Sequence, residues 1–273
     1  MMIKEMLFCK QFASICEEGY RKGWHERNGG NLSYRLTPDE AALVKANASG
    51  AELSEYRDIG GVFPALAGEI FLVTGSGKYM RHVKGDFEDS VAIIEISENG
   101  DKYKILWGLS GGGKPTSELP THLMNHEVKV KLGKDIRIIY HCHPTNIIAM
   151  SYLTEDNDRT YSNILWRTMT ECSIVFPDGV GVVPWMVCGS DEIAKASADK
   201  MQKFNAVVWA HHGIFCAGSD FDEVFGLAET VEKSAEIYLK VLSAGNIIKT
   251  VSNQNLIDLS KAFGTNFNSD LLF

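Results

Sequence analysis

The chain has 273 residues, 45% of them hydrophobic and 23% charged, which is enough apolar material for one large folded domain and excludes a disordered or low-complexity polymer. Its 27 Lys and Arg against 35 Asp and Glu leave a net charge of −8. The basic footprint of a sequence-independent nucleic-acid binder is therefore missing, and no nucleic-acid partner is expected. The six cysteines (Cys9, Cys16, Cys142, Cys172, Cys188 and Cys216) form no C-x-x-C pair and read as reduced, mostly buried thiols. Charges at Lys4, Glu5, Lys10, Glu17 and Glu18 interrupt any secretory h-region, and no apolar run nears the ~20 residues of a membrane span. A soluble, cytoplasmic chain with no membrane partner is the expectation.

Residues 3–24 space Ile3, Met6, Leu7, Phe12, Ile15 and Cys16 as one helical face. A turn at Asn28-Gly29-Gly30-Asn31 leads into a strand, Leu32–Leu36, and residues 38–68 read as an insertion. The strand Ile70–Val73 ends in Thr74-Gly75-Ser76-Gly77-Lys78. Val91–Ser97 and Tyr103–Trp107 flank Asn99-Gly100, a hairpin signal because Asn-Gly supplies positive φ in a tight turn. A helix begins at Ser117 or Glu118 with Pro120 in its first turn, where a missing N–H costs little. Ile136–Cys142 is a buried strand closed by Pro144, followed by helices at 145–153 and 158–169 and strands at 172–176 and 180–183. A helix over 190–203 precedes strands Ala206–Trp209 and Ile214–Ala217, which bracket His211-His212-Gly213, and an amphipathic helix spans 221–244. The close strand pairs argue against an all-parallel sheet. The expected fold is a single α/β domain over residues 1–273, with a mixed, mostly antiparallel central sheet and helices packed on both sides.

His141-Cys142-His143 ends a strand, where residues two apart share a face, so both imidazoles can grip one divalent ion. Two unrelated histidines are the plain alternative. Adjacent residues on extended chain diverge, so only one of His211 and His212 should join them, and the pattern does not choose between the two. Three histidines with an open fourth position are the mark of a catalytic zinc site. His122 and His126 lie four apart in line with Glu118, but without an H-E-x-x-H arrangement a polar helix face explains the pair more simply. Glu118 stands at a helix start, where the macrodipole favours its charged form; beside a metal it is also the natural base for a proton on carbon. The two glycine-rich segments fit neither Walker A nor a Rossmann fingerprint, and suit a mono-phosphate held by N–H and hydroxyl donors.

The combination of Gly23-Trp24-His25-Glu26-Arg27-Asn28-Gly29-Gly30-Asn31, Thr74-Gly75-Ser76-Gly77-Lys78, Pro115-Thr116-Ser117-Glu118-Leu119-Pro120, His141-Cys142-His143 and His212-Gly213 resembles the class II (zinc) sugar-phosphate aldolases. These share a superfamily with the ribulose-phosphate 4-epimerases. Leu106-Trp107-Gly108-Leu109, the 38–68 insertion and Phe176–Gly181 through Pro184-Trp185-Met186 narrow the resemblance to one member. The resemblance implies one zinc per subunit on His141, His143 and His212, with His211 a neighbour. It implies Glu118 as the catalytic acid/base, and the substrate phosphate and nearby oxygens at Asn28, Gly29, Asn31, Ser76, Gly77 and Ser117. It further implies Glu171 as an acid lent to the adjoining subunit, in a homotetramer with its active site at the subunit interface. The reaction it implies is reversible cleavage of a sugar phosphate to dihydroxyacetone phosphate and an aldehyde. A 4-epimerase and a non-catalytic adducin-like head domain are the competing readings. A Schiff-base aldolase is disfavoured because nothing in the sequence desolvates a particular lysine.

Overall fold

The computed structural model describes residues 2–48 and 55–272. In chain order they form α1 (Leu7–Arg21), β1 (Asn31–Arg35), α2 (Pro38–Asn47), β2 (Arg57–Asp58), β3 (Ile70–Thr74), α3 (Met80–Val83), α4 (Phe87–Ser90), β4 (Val91–Ile96), β5 (Lys102–Gly108) and α5 (Leu119–Lys131). There follow β6 (Ile138–Cys142), α6 (Thr145–Met150), α7 (Asp158–Trp166), α8 (Cys172–Val175), β7 (Gly181–Val183), α9 (Asp191–Met201), β8 (Ala206–Trp209), β9 (Gly213–Gly218), α10 (Phe221–Ala244) and α11 (Asn253–Phe263).

All nine strands join one sheet in the order β2-β5-β4-β3-β1-β6-β9-β8-β7. Among the described residues, only the β7–β8 pair is parallel. The expected mixed, mostly antiparallel sheet in a single α/β domain is what forms. The strands alternate in the way that two covered faces require. On β6, Ile138, Tyr140 and Cys142 face a core shared with α1 and α10, while Ile139 packs into the core beneath α9. On β3 and β4, Phe71, Val73, Ala92 and Ile94 face Leu119 and Leu123 of α5. No helix of the described residues is long and apolar enough to cross a membrane.

One local expectation is corrected and others gain detail. Residues 172–176 form a helical turn rather than a strand: Cys172 and Ser173 are buried, with α10 and α11 packed against α8, and that docking overrides a short apolar run. The 38–68 stretch begins with α2, which Thr37 and Glu40 cap reciprocally, and then carries the edge strand β2 and a helical turn at Pro64–Leu66; its residues 49–54 lie outside the described ones. The β4–β5 connection is a four-residue loop closed by Ser97 N–H donating to Lys102 O at 2.8 Å, in which only Gly100 takes positive φ (73°). A Cβ at Gly100 would lie 2.5 Å from the Phe63 carbonyl oxygen. Helix α11 was not anticipated, although Ser252 and Asn255 form a capping box at its start.

One lysine is desolvated, contrary to expectation. Lys129 of α5 is fully buried, and burial pushes its ammonium down to about 7. Its Nζ donates to Met201 O (2.6 Å), Phe204 O (2.8 Å) and Asn205 Oδ1 (2.8 Å). These oxygens take all three N–H groups at the C-terminal end of α9, where the helix dipole favours a cation. Lys129 thus ties α5 to α9.

Candidate metal centre and acid/base site

The register of the sheet assembles the site at one end of the central strands. Asn31 on β1 pairs with His141 on β6, so the two side chains stand side by side on the α5 face. Leu32 N–H donates to Thr74 Oγ1 at 3.2 Å, tying the end of β3 to the start of β1. Thr116 N–H donates to Thr74 O at 2.9 Å and Gly75 bridges Pro115, which brings the 74–77 turn against the segment that carries Ser117 and Glu118.

His141, His143 and His212 converge, with one ligand atom from each lying within 4.8 Å of the others. His141 Nδ1–H donates to Ile214 O at 3.0 Å, and His143 Nδ1–H donates to the Glu26 carboxylate at 2.7 Å. Each ring therefore presents an Nε2 lone pair, and the two Nε2 atoms are 3.2 Å apart. Two lone pairs at that distance repel unless a cation lies between them. Ligands at ~2.0–2.1 Å from a tetrahedral ion stand roughly 3.3–3.4 Å apart. The donor set thus fits a divalent ion of zinc type. Burial pushes His141 well below the usual histidine range and His212 down to about 4, so both rings stay neutral and able to ligate near neutral pH. The His141 ring is stacked on Phe215 (4.1 Å, 10°), which fixes its plane.

The turn between β8 and β9 settles which of the paired histidines joins. His211 takes φ 61°, a left-handed conformation that costs a non-glycine residue about 1 kcal/mol or more. It turns His212 into the cluster, with ring centroids 5.1 Å from His141 and 4.9 Å from His143. The His211 ring instead packs on Tyr152 at 4.5 Å.

Glu118 caps nothing, although it occupies the N-cap position of α5. Its Oε2 accepts from Asn31 Nδ2 at 2.7 Å and lies 3.7 Å from His141 Nε2. Burial pushes its carboxyl up, against the hydrogen bond from Asn31 and the nearby His143. The expectation that the helix dipole governs its charge is therefore replaced by desolvation as the larger effect. His122 and His126 are not a solvated polar face either. Both are fully buried and bonded to Ser33 of β1, and His122 also meets Asn31.

The loop residues offer fewer backbone donors than the glycines suggest. Gly29 N–H is taken by Glu26 O (2.8 Å) and Ser76 N–H by Lys114 O (2.9 Å). Gly29 is needed for close approach instead, since a Cβ there would fall 2.9 Å from the His143 ring. Asn28, Gly77 and Ser117 are exposed at this end of the sheet, Ser76 is half-buried and Asn31 is buried. Glu171 is exposed at the start of α8 and does not line the cavity of about 760 Å³ that opens beside His143 and His212. Glu26 and His25 carry roles that residue spacing did not signal. Glu26 orients His143, while the buried His25 bonds Gly29 O (3.1 Å) and Tyr140 Oη (2.8 Å) beneath the same loop.

Residues 10–239 match the Class II Aldolase and Adducin N-terminal domain family. The chain belongs to this family. Among class II aldolase relatives, it is 44% identical over 264 residues to the rhamnulose-1-phosphate aldolase of Salmonella heidelberg, covering 96% of this chain and 95% of that protein. It is 45% identical over 258 residues to the rhamnulose-1-phosphate aldolase of Klebsiella pneumoniae, covering 94% and 92%. Its structure resembles that of a sugar-phosphate aldolase from Thermotoga maritima, with a TM-score of 0.73 and 31% identity over 87% of this chain and 97% of that one. The class II aldolase assignment makes the chain a lyase, and its His141, His143 and His212 form a cluster that could hold a metal ion.

Proposed function

We propose that the chain reversibly cleaves L-rhamnulose 1-phosphate between C3 and C4 to give dihydroxyacetone phosphate and L-lactaldehyde, using one zinc held by His141, His143 and His212. The near full-length similarity to rhamnulose-1-phosphate aldolases supports the substrate. The observation that carries the chemistry is the buried Glu118 carboxylate, held by Asn31 at 3.7 Å from one nitrogen of the three-histidine cluster. Bound there, a divalent ion supplies a Lewis acid that disperses the negative charge left on the substrate when the C3–C4 bond breaks. Glu118 exchanges the proton at C3 of dihydroxyacetone phosphate, giving it in cleavage and taking it in synthesis. Asn28, Gly29, Asn31, Ser76, Gly77 and Ser117 hold the phosphate and the oxygens beside it. Glu26 holds His143 in the tautomer that leaves Nε2 free.

Incubation with L-rhamnulose 1-phosphate should yield free dihydroxyacetone phosphate and L-lactaldehyde, read by product analysis together with metal content. A 4-epimerase would accumulate no dihydroxyacetone phosphate. A purely structural adducin-like module would hold no zinc, and trapping by borohydride would reveal a Schiff base. The cytoplasm, with its reduced thiols, is the compartment in which this reaction is proposed to run.

We further assign Glu171 to the adjoining subunit's site in a homotetramer, where it exchanges a proton with the C4 oxygen of the departing aldehyde. Its exposed position away from the chain's own cavity supports this. Glu118→Gln and Glu171→Gln chains, each impaired alone, should regain activity when unfolded and refolded as a mixture. In a head-to-tail ring about a quarter of sites receive both intact acids from different chains. No recovery from well-refolded mixed oligomers would place both acids in one subunit's site or remove Glu171 from it.

A further inference from the structure

A chain of hydrogen bonds runs from Glu118 into the interior, and its direction is determined at one end. An ionised carboxylate only accepts, so Asn31 turns its NH2 group to Glu118 Oε2 at 2.7 Å. That leaves Asn31 Oδ1 in close contact with His122 Nε2, which must carry the N–H. A neutral ring protonated there has a lone pair at Nδ1, so Ser33 Oγ–H donates to it at 2.7 Å. Ser33 Oγ then accepts from His126 Nε2–H at 2.8 Å. His126 Nδ1 is left as a bare, buried lone pair with no partner among the described residues. Every donor in the series points toward Glu118.

The geometry follows from two periodicities meeting. Glu118, His122 and His126 recur every four residues along one stripe at the start of α5 and within it, while Asn31 and Ser33 are two apart on one face of β1. Ser33 is fully buried, as are both rings, and burial pushes His122 down to about 3 and His126 well below its usual range, so both stay neutral. Aromatic walls hold the rings in place: His122 meets Phe215 at 5.6 Å and His126 meets Phe71 at 5.0 Å.

We propose that His122, Ser33 and His126 are positioning residues for Glu118: a one-way series of donors that fixes the Asn31 amide with its NH2 toward the carboxylate and so keeps Glu118 aimed at the reacting carbon. This rests on the proposed aldolase reaction. Without the His122 N–H, the Asn31 oxygen loses its partner and the amide is held at one end only, so its NH2 is aimed less firmly at the carboxylate. The charge-assisted hydrogen bond to the carboxylate is then longer-lived in the wild type than in the variant.

The test compares His122→Leu and His122→Gln in metal-loaded protein. Its readouts are zinc content, competitive inhibition by inorganic phosphate, KM and kcat for cleavage, and exchange of the C3 proton of dihydroxyacetone phosphate with solvent. In His122→Leu, kcat and exchange should fall together by roughly 10–100-fold, the factor attached to a hydrogen bond on a charged group. Zinc content and phosphate inhibition should hold, and KM should change less than kcat. His122→Gln, whose amide reaches the same oxygen, should recover most of the loss. In an Asn31→Ala background His122→Leu should cost nothing further, because the two act through one contact. Should His122→Leu not fold, Ser33→Ala removes the middle link at small volume change, with an expected loss of roughly 3–10-fold. Wild-type exchange in folded, zinc-loaded His122→Leu or Ser33→Ala would overturn the positioning role alone, as would an undiminished effect in the Asn31→Ala background. Wild-type protein that binds zinc but exchanges no proton would overturn the aldolase reading and this inference with it.

Discussion

Alanine at His141, His143 or His212 should strip the metal and lower cleavage by about 10³-fold or more, since a Lewis acid supplies several kcal/mol to a reaction of this kind. Each ring donates one neutral nitrogen to a shared point, and two ligands leave a divalent ion without its grip. A chelator should mimic the substitutions in the wild-type protein and added Zn²⁺ should reverse it, whereas the alanine variants should stay apo. His211→Ala should keep its zinc, because the His211 ring packs on Tyr152 and not on the cluster. Glu26→Ala, which removes only the partner of His143 Nδ1, should weaken metal binding by about 10–100-fold without abolishing it. Metal content after dialysis and activity against zinc concentration check the whole set. Zinc retained in the His212 variant and lost in the His211 variant would reverse the assignment.

Glu118→Gln should leave zinc and phosphate binding intact and depress C3 proton exchange by about 10²–10⁴-fold, the usual contribution of a positioned acid/base. Gln is close to isosteric, yet it has no proton to give and takes none. Asn31 can still donate to the amide oxygen, so the local packing that buries residue 118 should survive. Exchange followed by NMR in deuterated solvent separates this step from carbon–carbon cleavage. A Glu118→Gln protein that exchanges at the wild-type rate would remove Glu118 from the role of base. Asn28→Ala and Ser76→Ala differ in kind: they should raise KM for phosphorylated substrates and matter little for an unphosphorylated one.

Much of the architecture is legible because it depends on neighbours in the chain. Near-continuous apolar runs on β3, β4 and β6 and the turn residues between strands mark the sheet, and the 3.6-residue period marks α1, α9 and α10. Pro120 and the run into Leu119 mark the start of α5. The His141/His143 pair stands out because a strand places alternate residues on one side. The family's motif set then singles out His212, Glu118 and the 74–77 loop.

Short-range pattern cannot report what a face meets. Glu118, His122 and His126 form one helical stripe by spacing alone, and such a stripe reads as solvated until β1 is laid beneath it with Asn31 and Ser33 facing up. The same holds for Lys129, an ordinary helix lysine until the end of α9 surrounds it with three oxygens. Likewise Cys172–Val175 is apolar enough for a strand, but α10 and α11 bury it as a helical turn. Which of His211 and His212 points inward was decided by one positive φ in a turn. The sequence by itself determined most of the strands, the principal helices and the residue types available for metal and proton chemistry. Only the tertiary structure decided which of those groups lose their water and which partners they find there, because desolvation depends on packing between segments far apart in the chain.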